Sequence, residues 1–496
     1  MTNTSEPAGP QEKWYSGISR YQWTVLIIAS LGWVFDIFEG QIFVASMREA
    51  MPSLVAAGTE AGQIAYYNQV ALAAFLLGGA IGGIVFGALS DRIGRKRTLS
   101  FTILFYSLFT CLSVFSQDWW HLAGFRFLVA LGVGGEWAVA SALVAEVFPK
   151  RARTHVGSIF HASSVLGTYL AVAAGTFLIG NASIHAWADD QAGTWIADIV
   201  DPASLPWRIG FALGALPALL ILWIRRSLKE PDSWVAARLK SQDDANASMG
   251  SIGELFRGGL LRHTLVGVSL SAVGLATFWG AHIYGKNMLL NAKQRDIIAT
   301  ASANPDALSQ AARQVLEAAQ DRGEALSEET KQAILKAEQP RLKRWEMLGM
   351  FLVTTGGGLG LLLFGPFSTK VGRKRAFLWY HLGGLATALI TFKLVSGVAP
   401  MILVLPVFGF LTLGMHAGYA IYFPELYPTR LRGTGTGFCF NAGRIIAAPI
   451  LLSMGWFQKQ FDLDLVGAAS LLSLLYLVVV VILPFAPETK GQDLPE

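Results

Sequence analysis

Twelve stretches of about twenty apolar residues constrain this chain more than any other feature. A helix of that length crosses a hydrocarbon core of about 30 Å, and its backbone groups are hydrogen-bonded within the segment, as lipid requires. The stretches lack the ten-residue alternation of a transmembrane barrel, so helices are the consistent interpretation. They lie near residues 22–46, 65–89, 97–116, 120–147, 156–180 and 206–226, and again near 262–289, 345–368, 375–396, 400–424, 433–456 and 463–485.

Composition argues against a soluble or secreted protein. Of the 496 residues, 53% are hydrophobic and 15% are charged, whereas soluble domains average roughly 25% charged. Cys111 and Cys439 lie inside apolar stretches, so they cannot form the disulfide framework of a secreted protein. The net charge of +5 comes from short basic loops, which topology alone explains, so we expect a lipid bilayer and no nucleic acid as partner. We find no nucleophile, metal-ligand cluster or phosphate loop, and therefore expect no enzyme, cofactor or metal site.

Basic residues follow predicted helices 2, 4, 8 and 10, which places them on one side of the membrane. By the positive-inside rule this side is cytoplasmic, and an even number of helices then places both termini there. The loop after helix 5 is acidic and should face outward. These features predict a multi-pass protein of the cell inner membrane. The basic residues are Arg92, Arg95, Lys96, Arg97, Lys150, Arg151, Arg153, Arg373, Lys374, Arg375, Arg430 and Arg432.

Two polar segments, residues 227–261 and 291–344, separate the apolar stretches and define the domain organisation. Residues 291–344 are rich in Ala, Gln, Glu and Lys at helical spacing, which predicts one or two amphipathic helices outside the membrane. This insertion is either a solvated excursion or a lid or partner-binding element. The predicted domains are a tail 1–21, a six-helix bundle 22–226, a linker 227–261, a second bundle 262–485 that contains the insertion, and a tail 486–496.

An internal repeat relates the two bundles. Residues 87–97 read GALSDRIGRKR after helix 2, and residues 365–375 read GPFSTKVGRKR after helix 8. Likewise, residues 146–153 read EVFPKRAR after helix 4, and residues 425–432 read ELYPTRLR after helix 10. The repeat predicts two six-helix halves in the same orientation, related by an axis along the membrane normal, with the solute path between them.

Three motifs carry a family resemblance. The loop at 87–97 resembles the signature of the major facilitator superfamily. Residues 126–137, Arg-x5-Gly-x-Gly-Gly-Glu-Trp, resemble a helix 4 motif of metabolite:proton symporters, and residues 487–491, PETKG, resemble the ending of sugar porters. The resemblance implies an all-α membrane protein that moves a small solute by alternating access, as a secondary active transporter and without catalysing a reaction.

The repeated loops suggest a gate. A glycine-led turn that carries a carboxylate and several guanidinium groups can latch neighbouring helix ends through charge-assisted hydrogen bonds and dipole contacts. The same interpretation pairs Glu146 with Arg151 and Glu425 with Arg430; the alternative is that these residues only fix topology. Thr369 replaces the acidic residue in the second copy, so gating there should be weaker or absent. The predicted gating residues are Gly87, Asp91, Arg92, Gly94, Arg95, Glu146, Arg151, Glu425 and Arg430.

Charged residues at membrane depth are costly and are functional candidates. Asp36 and Glu39 are three apart on helix 1 and so share a face. At about 1.5 Å per residue, Asp36 and Arg126 of helix 4 both lie about 20 Å from the cytoplasmic end. The resemblance to sugar-porter-like symporters implies that Asp36 and Arg126 form a proton switch; the alternative is a permanent salt bridge. Glu39 is either a second proton acceptor or a carboxylate that hydrates the path.

Arg444 and Asn441 of helix 11 lie near mid-membrane, where transporters of this kind bind substrate. A guanidinium fork there suits a carboxylate, although it could instead pair with an acidic residue across the cavity. Glu136 is a candidate for substrate contact or for proton transfer. Trp279 and His282 are further candidates for substrate contact, with packing as the alternative for these two rings.

The combined prediction is proton-coupled symport of a small organic anion, a carboxylate, by a monomer. The open alternatives are a sugar or polyol proton symporter, a proton-coupled exporter and a non-transporting membrane receptor. The ending at 487–491 favours the sugar porter, and only the insertion at 291–344 points to a receptor.

Overall fold

The structure is a computed structural model that describes residues 13–496 except 180, 244–247, 286, 322–326 and 453. Helices and turns make up this part of the chain, and it contains no strand. The first helix begins at a capping box, in which Ser19 and Gln22 each bond the backbone N–H of the other.

The first six membrane helices are mostly long and continuous, although the fifth and sixth are divided. Helix 1 spans Arg20–Ala50, helix 2 Ala61–Ile93, helix 3 Arg95–Ser113 and helix 4 Trp119–Val147. Helix 5 comprises Lys150–Ala162, Ser164–Ala174 and a π turn Gly175–Ile179, and helix 6 comprises Leu205–Ala212, Leu213–Ala215 and Ala218–Ser227. A short helix, Ala182–Asp189, lies between helices 5 and 6, and Asp232–Asp243 follows helix 6 in the linker.

The second six repeat this arrangement. Helix 7 spans Gly258–Thr277 and continues through a π turn Phe278–His282 and Ile283–Gly285. Helix 8 spans Gln339–Val371, helix 9 Arg373–Leu389 with a π turn Ile390–Leu394, helix 10 Val398–Gly414 and Ala417–Glu425, and helix 11 Arg432–Leu452. Met454–Phe461 follows, and helix 12 comprises Leu465–Ser473, Leu474–Leu477, Val478–Ile482 and Leu483–Phe485.

The predicted all-α membrane fold is confirmed. Among the described residues, nine helical spans are long and apolar enough to cross a membrane. Helices 3, 9 and 11 lie where the three remaining spans were predicted. Together they give twelve membrane helices in two halves of six.

Two glycines make the sharp turns of the repeated loop. Gly94 has φ 111° between helices 2 and 3, and Gly372 has φ 96° between helices 8 and 9, a backbone region that other residues rarely adopt. The carboxylate of Glu230 accepts from the N–H of Arg95 at 2.7 Å, and that of Glu488 accepts from the N–H of Arg373 at 2.9 Å. The segment after the last helix of each half therefore caps the third helix of that half.

The two halves meet along helices 2 and 11 and along helices 5 and 8. Glycines allow the closest approach: a Cβ at Gly87 would lie 2.6 Å from the carbonyl oxygen of Gly433, and one at Gly437 would lie 2.3 Å from that of Gly83. Tyr169 of helix 5 also shares a hydrogen bond of 2.6 Å with Thr355 of helix 8. We call the end of the bundle that carries residues 87–97 and 365–375 the basic end.

The described residues of the segment 291–344 form a small helical cluster on the second half. Met288–Ala303 extends the chain beyond helix 7, followed by the amphipathic helices Gln310–Gln320 and Glu328–Ala337. The cluster has its own apolar core, formed by Ile297, Ala301, Leu308, Ala312, Leu316, Ile334 and Leu342.

Candidate transport site and gate

The two carboxylates of helix 1 have different partners, although each is only 1% exposed. Glu39 Oε1 lies 2.5 Å from Arg126 Nη1 in a buried salt bridge. Arg126 Nη2 donates to Ser113 Oγ of helix 3 at 2.8 Å. The predicted pairing of Asp36 with Arg126 is therefore wrong, because the partner of Arg126 is Glu39, one turn further along helix 1.

Aromatic rings surround the Glu39–Arg126 pair. The Arg126 guanidinium carbon lies 5.5 Å from the ring centre of Phe43 and 4.7 Å from that of Phe211, distances typical of cation–π contacts. Ser113 and Phe211 are functional candidates that the sequence analysis missed. Neither carries a motif, and only their position in the folded chain makes them neighbours of Arg126.

Asp36 faces Glu136 of helix 4, which is also 1% exposed. None of the four carboxyl oxygens of this pair has a donor with hydrogen-bond geometry in the described structure, although the Tyr106 hydroxyl of helix 3 lies beside Glu136. Two carboxylates side by side in a low-dielectric site repel each other, whereas a proton on one of them would create a hydrogen-bond donor for the other. This arrangement can hold a proton between helices 1 and 4.

Gly32 provides the space for Glu136. A Cβ at residue 32 would lie 1.7 Å from Glu136 Oε1, so the carboxyl group lies directly against the helix 1 backbone one turn before Asp36. The acidic pair thus depends on a glycine that the motif analysis did not single out.

Arg444 reaches this site from helix 11, in the other half. It lies near Asp36, and its Nη1 packs so closely on helix 2 that a Cβ at Gly79 would lie 2.6 Å away. Its guanidinium carbon lies 5.3 Å from the Phe440 ring centre. Within the part of the chain that the structure describes, Arg444 has no salt bridge within 4.0 Å. A guanidinium facing a carboxyl pair without a close ion partner can bind an anion.

Asn441 lies one turn closer to the basic end. Its amide nitrogen donates to the carbonyl of Gly437 at 2.8 Å, while its amide oxygen is buried and has no donor in the described structure. A Cβ at Gly83 would lie 1.8 Å from this amide nitrogen. Helix 11 therefore presents an amide oxygen and a guanidinium to the interface between the halves.

The two helix 7 candidates are placed differently. His282 Nδ1 lies 2.7 Å from Thr412 Oγ1 of helix 10, and its ring stacks between Phe278 and Phe408. The structure thus buries His282 within the second half and does not bring it to Asp36, Glu136 and Arg444. Trp279 is partly buried and contacts the ring of Phe278 edge-on, at 5.5 Å between ring centres.

An aromatic contact closes the interface on the basic-end side of the acidic pair. Trp137 of helix 4 and Phe440 of helix 11 have ring centres 4.2 Å apart. The Trp137 indole also donates to His161 Nδ1 at 3.2 Å. The two halves are therefore in contact between Arg444 and the basic end.

Asp91 forms the central latch at the basic end. It accepts hydrogen bonds from the N–H groups of Gly433 (3.0 Å) and Thr434 (2.7 Å), which belong to the first turn of helix 11, where the helix dipole favours an anion. Arg95 binds Asp91 at 2.5 Å and donates across the interface to the Thr429 carbonyl at 3.0 Å.

Glu146 joins the same latch. It accepts from Arg95 at 2.8 and 3.2 Å and from Arg432 of the other half at 2.8 Å. The predicted Glu146–Arg151 pair is wrong: Arg151 donates to the Ser16 carbonyl instead.

The linker supplies the partners of two further predicted gating residues. Arg430 pairs with Glu254 and not with Glu425, which corrects the second predicted pairing. Arg92 donates to the carbonyls of Met249 (3.3 Å) and Gly250 (3.2 Å). The linker therefore packs against both halves at the basic end.

The second copy of the loop is built differently. Thr369 donates to the Gly365 carbonyl of its own helix at 3.0 Å and so forms no counterpart of the Asp91 latch. Arg373 binds Glu425 at 2.9 and 3.1 Å and Thr154 of the first half at 2.8 Å. This copy contributes one side-chain bond across the interface through its arginine.

Known proteins resemble the chain over nearly its whole length. The sialic acid transporter NanX of Escherichia coli is 26% identical over 94% of this chain and 95% of its own. The cis,cis-muconate transport protein of Acinetobacter baylyi is 25% identical over 91% of both chains. Both are similar to this chain in sequence and in extent.

Solved structures share the fold. The proton:xylose symporter XylE, bound to 6-bromo-6-deoxy-D-glucose, superposes with a TM-score of 0.62 at 17% sequence identity, covering 96% of this chain and 98% of its own. The sequence model of the Major Facilitator Superfamily matches residues 23–292. The chain therefore belongs to the major facilitator superfamily, whose members are membrane transporters and not enzymes.

Proposed function

We propose that this protein imports a small organic anion, a carboxylate, together with protons, by alternating access across the bacterial inner membrane. The observation that carries the proposal is the buried guanidinium of Arg444, which lies near Asp36 of the acidic pair across the interface between the halves. Relatives named for sialic acid and for cis,cis-muconate support an organic acid as substrate.

The geometry suggests how proton and substrate are coupled. When Asp36 is ionised, it attracts Arg444 and competes with any other anion for that guanidinium. A proton held between Asp36 and Glu136 lowers the charge of the pair from −2 to −1 and so weakens this competition. The guanidinium fork can then bind a substrate carboxylate through two parallel charge-assisted bonds. Proton and substrate then favour each other's binding by the same factor, as linkage requires.

Glu39 and Arg126 form the second part of the proposed proton path. Their buried salt bridge holds an ionised carboxylate one turn from Asp36. Protonation of Glu39 would leave Arg126 with Ser113 and the two aromatic rings as partners, and would loosen the contact between helices 1 and 4.

We assign the basic end to the cytoplasm, so both termini are cytoplasmic. In this orientation the Asp91 latch is a closed cytoplasmic gate. We also propose that the protein works as a monomer, with bundles 22–226 and 262–485 rocking about the interface while the linker 227–261 and the tails 1–21 and 486–496 stay on the cytoplasmic side.

The test is reconstitution into liposomes that contain a pH-sensitive dye. We expect external muconate or sialic acid to acidify the interior, and Asp36→Asn to reduce this acidification to the level of empty liposomes, because the acidic pair then loses its titrating carboxyl group. The matched control is Asp198→Asn, which neutralises an exposed aspartate in the loop between helices 5 and 6 and should leave the signal unchanged.

The other outcomes distinguish the alternatives. Acidification by neutral sugars alone would favour the sugar or polyol porter, in agreement with the resemblance of residues 487–491 to the ending of sugar porters. Proton-driven uptake into inverted vesicles would identify an exporter. Ligand binding without any flux would identify a receptor, and each of these results contradicts organic-anion import.

A second prediction concerns Arg444. Arg444→Lys keeps the positive charge but loses the fork, and a hydrogen bond to a charged group contributes about 1.5–3 kcal/mol. We therefore expect the KM for the organic acid to rise roughly tenfold to a hundredfold while the variant still inserts and folds. Initial uptake rates of radiolabelled acid measure this, and an unchanged KM would exclude Arg444 from the binding site.

A further inference from the structure

A groove on the flank of the first half lies outside the transport path. It has a volume of about 750 Å³ and runs between helices 3 and 6 near the basic end. Its walls come from these two helices and the residues that follow helix 6, whereas the interface between the halves is formed by helices 2, 5, 8 and 11. The residues that line it are Lys96, Arg97, Ser100, Phe101, Leu104, Ile221, Arg225, Leu228, Lys229 and Glu230.

The groove is divided into a basic rim and an apolar wall. Four positively charged residues lie at its basic end: Lys96, Arg97, Arg225 and Lys229. The wall further into the membrane is apolar, and two of its side chains are open to the surroundings: Phe101 is 47% exposed and Leu104 51% exposed. Helix 6 ends its apolar span at Ser227, so the rim lies at the boundary between hydrocarbon and water.

The positive charges of the rim are largely free. Lys96 donates its Nζ to the Arg225 carbonyl at 2.9 Å, but in the described part of the chain the heads of Arg97, Arg225 and Lys229 form no salt bridge within 4.0 Å. Glu230 is the one carboxylate in the lining. One of its oxygens accepts from the N–H groups of Arg95 and Lys96 at 2.7 and 3.3 Å.

The other Glu230 oxygen, Oε1, is buried without a donor. The lining thus carries four positive charges and one negative charge, and the negative charge is engaged by the first turn of helix 3. A net positive rim above an apolar wall is complementary to a molecule with an anionic head and a hydrocarbon tail.

We propose that this groove binds an anionic phospholipid, with its phosphate at Arg97, Arg225 and Lys229 and one acyl chain along Phe101, Leu104 and Ile221. The apolar wall decides in favour of a lipid, because a free phosphate or a soluble acid would gain nothing from contacting it. The site depends on neither the transported substrate nor the direction of transport.

The test is native mass spectrometry of the purified full-length protein in detergent. It is titrated with phosphatidylglycerol or with phosphatidylcholine of the same acyl chains. We expect retained phosphatidylglycerol and markedly less phosphatidylcholine. The double variant Arg97→Gln, Arg225→Gln should weaken phosphatidylglycerol binding by roughly thirtyfold, because each basic residue near the membrane surface contributes to the attraction for anionic headgroups.

Arg226 is the matched control. It is exposed and adjacent to Arg225 but does not line the groove, so Arg226→Gln should leave binding unchanged. The double lysine variant Arg97→Lys, Arg225→Lys keeps both positive charges and should therefore keep most of the wild-type affinity for phosphatidylglycerol.

Three results would overturn the proposal. Equal retention of the two lipids would show that charge does not select the ligand. An equal loss in Arg226→Gln would show a diffuse electrostatic effect without a site. Displacement of phosphatidylglycerol by millimolar inorganic phosphate would indicate a small-anion site in place of a lipid site.

Discussion

Arg126→Ala is expected to lower the free energy of unfolding by about 3–5 kcal/mol, because it leaves the buried carboxylate of Glu39 without its counter-ion. Glu39 is 1% exposed and Arg126 is fully buried, so the carboxylate that remains lies in a site of low dielectric constant. The loss should be large even though an intact buried pair need not stabilise the fold compared with apolar residues. Chemical unfolding in mixed micelles, followed by tryptophan fluorescence, measures the effect.

The double variant Glu39→Gln, Arg126→Gln supplies the control. Removing both charges should cost much less than removing Arg126 alone, because no buried charge is then left unpaired. If a double-mutant cycle gave a coupling energy between Arg126 and Asp36 and none between Arg126 and Glu39, the pairing predicted from the sequence would be correct. Wild-type stability in Arg126→Ala would contradict the buried pair altogether.

Asp91→Ala is expected to open the basic end. Across the interface the Asp91 carboxylate accepts two backbone hydrogen bonds from helix 11 and one from the Thr434 hydroxyl, and hydrogen bonds to charged groups contribute about 1.5–3 kcal/mol each. Their combined loss is comparable with the few kcal/mol that separate the conformations of a typical two-state protein. The population should therefore shift away from the closed gate.

Ser158 provides a site for measuring this shift. It is fully buried where helix 5 meets helix 8, and a Cβ at Gly365 would lie 2.5 Å from its hydroxyl. In a background with Cys111→Ser and Cys439→Ser, a Ser158→Cys probe should react with a membrane-impermeant maleimide roughly tenfold faster or more when Asp91→Ala is added. The maleimide is applied from the basic end.

Thr369 is the matched control, because it occupies the position of Asp91 in the second copy of the loop. Its hydroxyl bonds only to its own helix in the described structure, so Thr369→Ala should leave the labelling rate unchanged. Equal rates in Asp91→Ala and in the parent protein would show that the latch does not hold the gate.

The sequence predicted the fold because the signals for it are local. Apolar stretches define helices, and the repeated loops at 87–97 and 365–375 define the halves. The pairings failed because they depend on direction around a helix axis as well as on depth. Residues three apart on a helix differ by about 60° in direction, which is enough to turn Asp36 to Glu136 and Glu39 to Arg126.

The gate shows the same limit. Glu146 and Arg151 are close in sequence, but the chain turns at Pro149, and the partners of Glu146 are Arg95 and Arg432. Arg432 comes from the other half, and a single sequence gives no sign of such a long-range contact. Gly32 shows a further limit of sequence analysis. It matters because it has no side chain and so leaves space for the carboxyl group of Glu136.

The caps formed by Glu230 and Glu488 have a mechanical consequence. Each ties the segment after the last helix of a half to the start of the third helix, so that each half is closed on itself by a non-covalent clasp. A closed half resists shear among its own helices and can tilt as a single lever. The linker supplies Glu230 to the first clasp and Glu254 to Arg430, so it holds the two halves beside each other at the basic end while each half tilts.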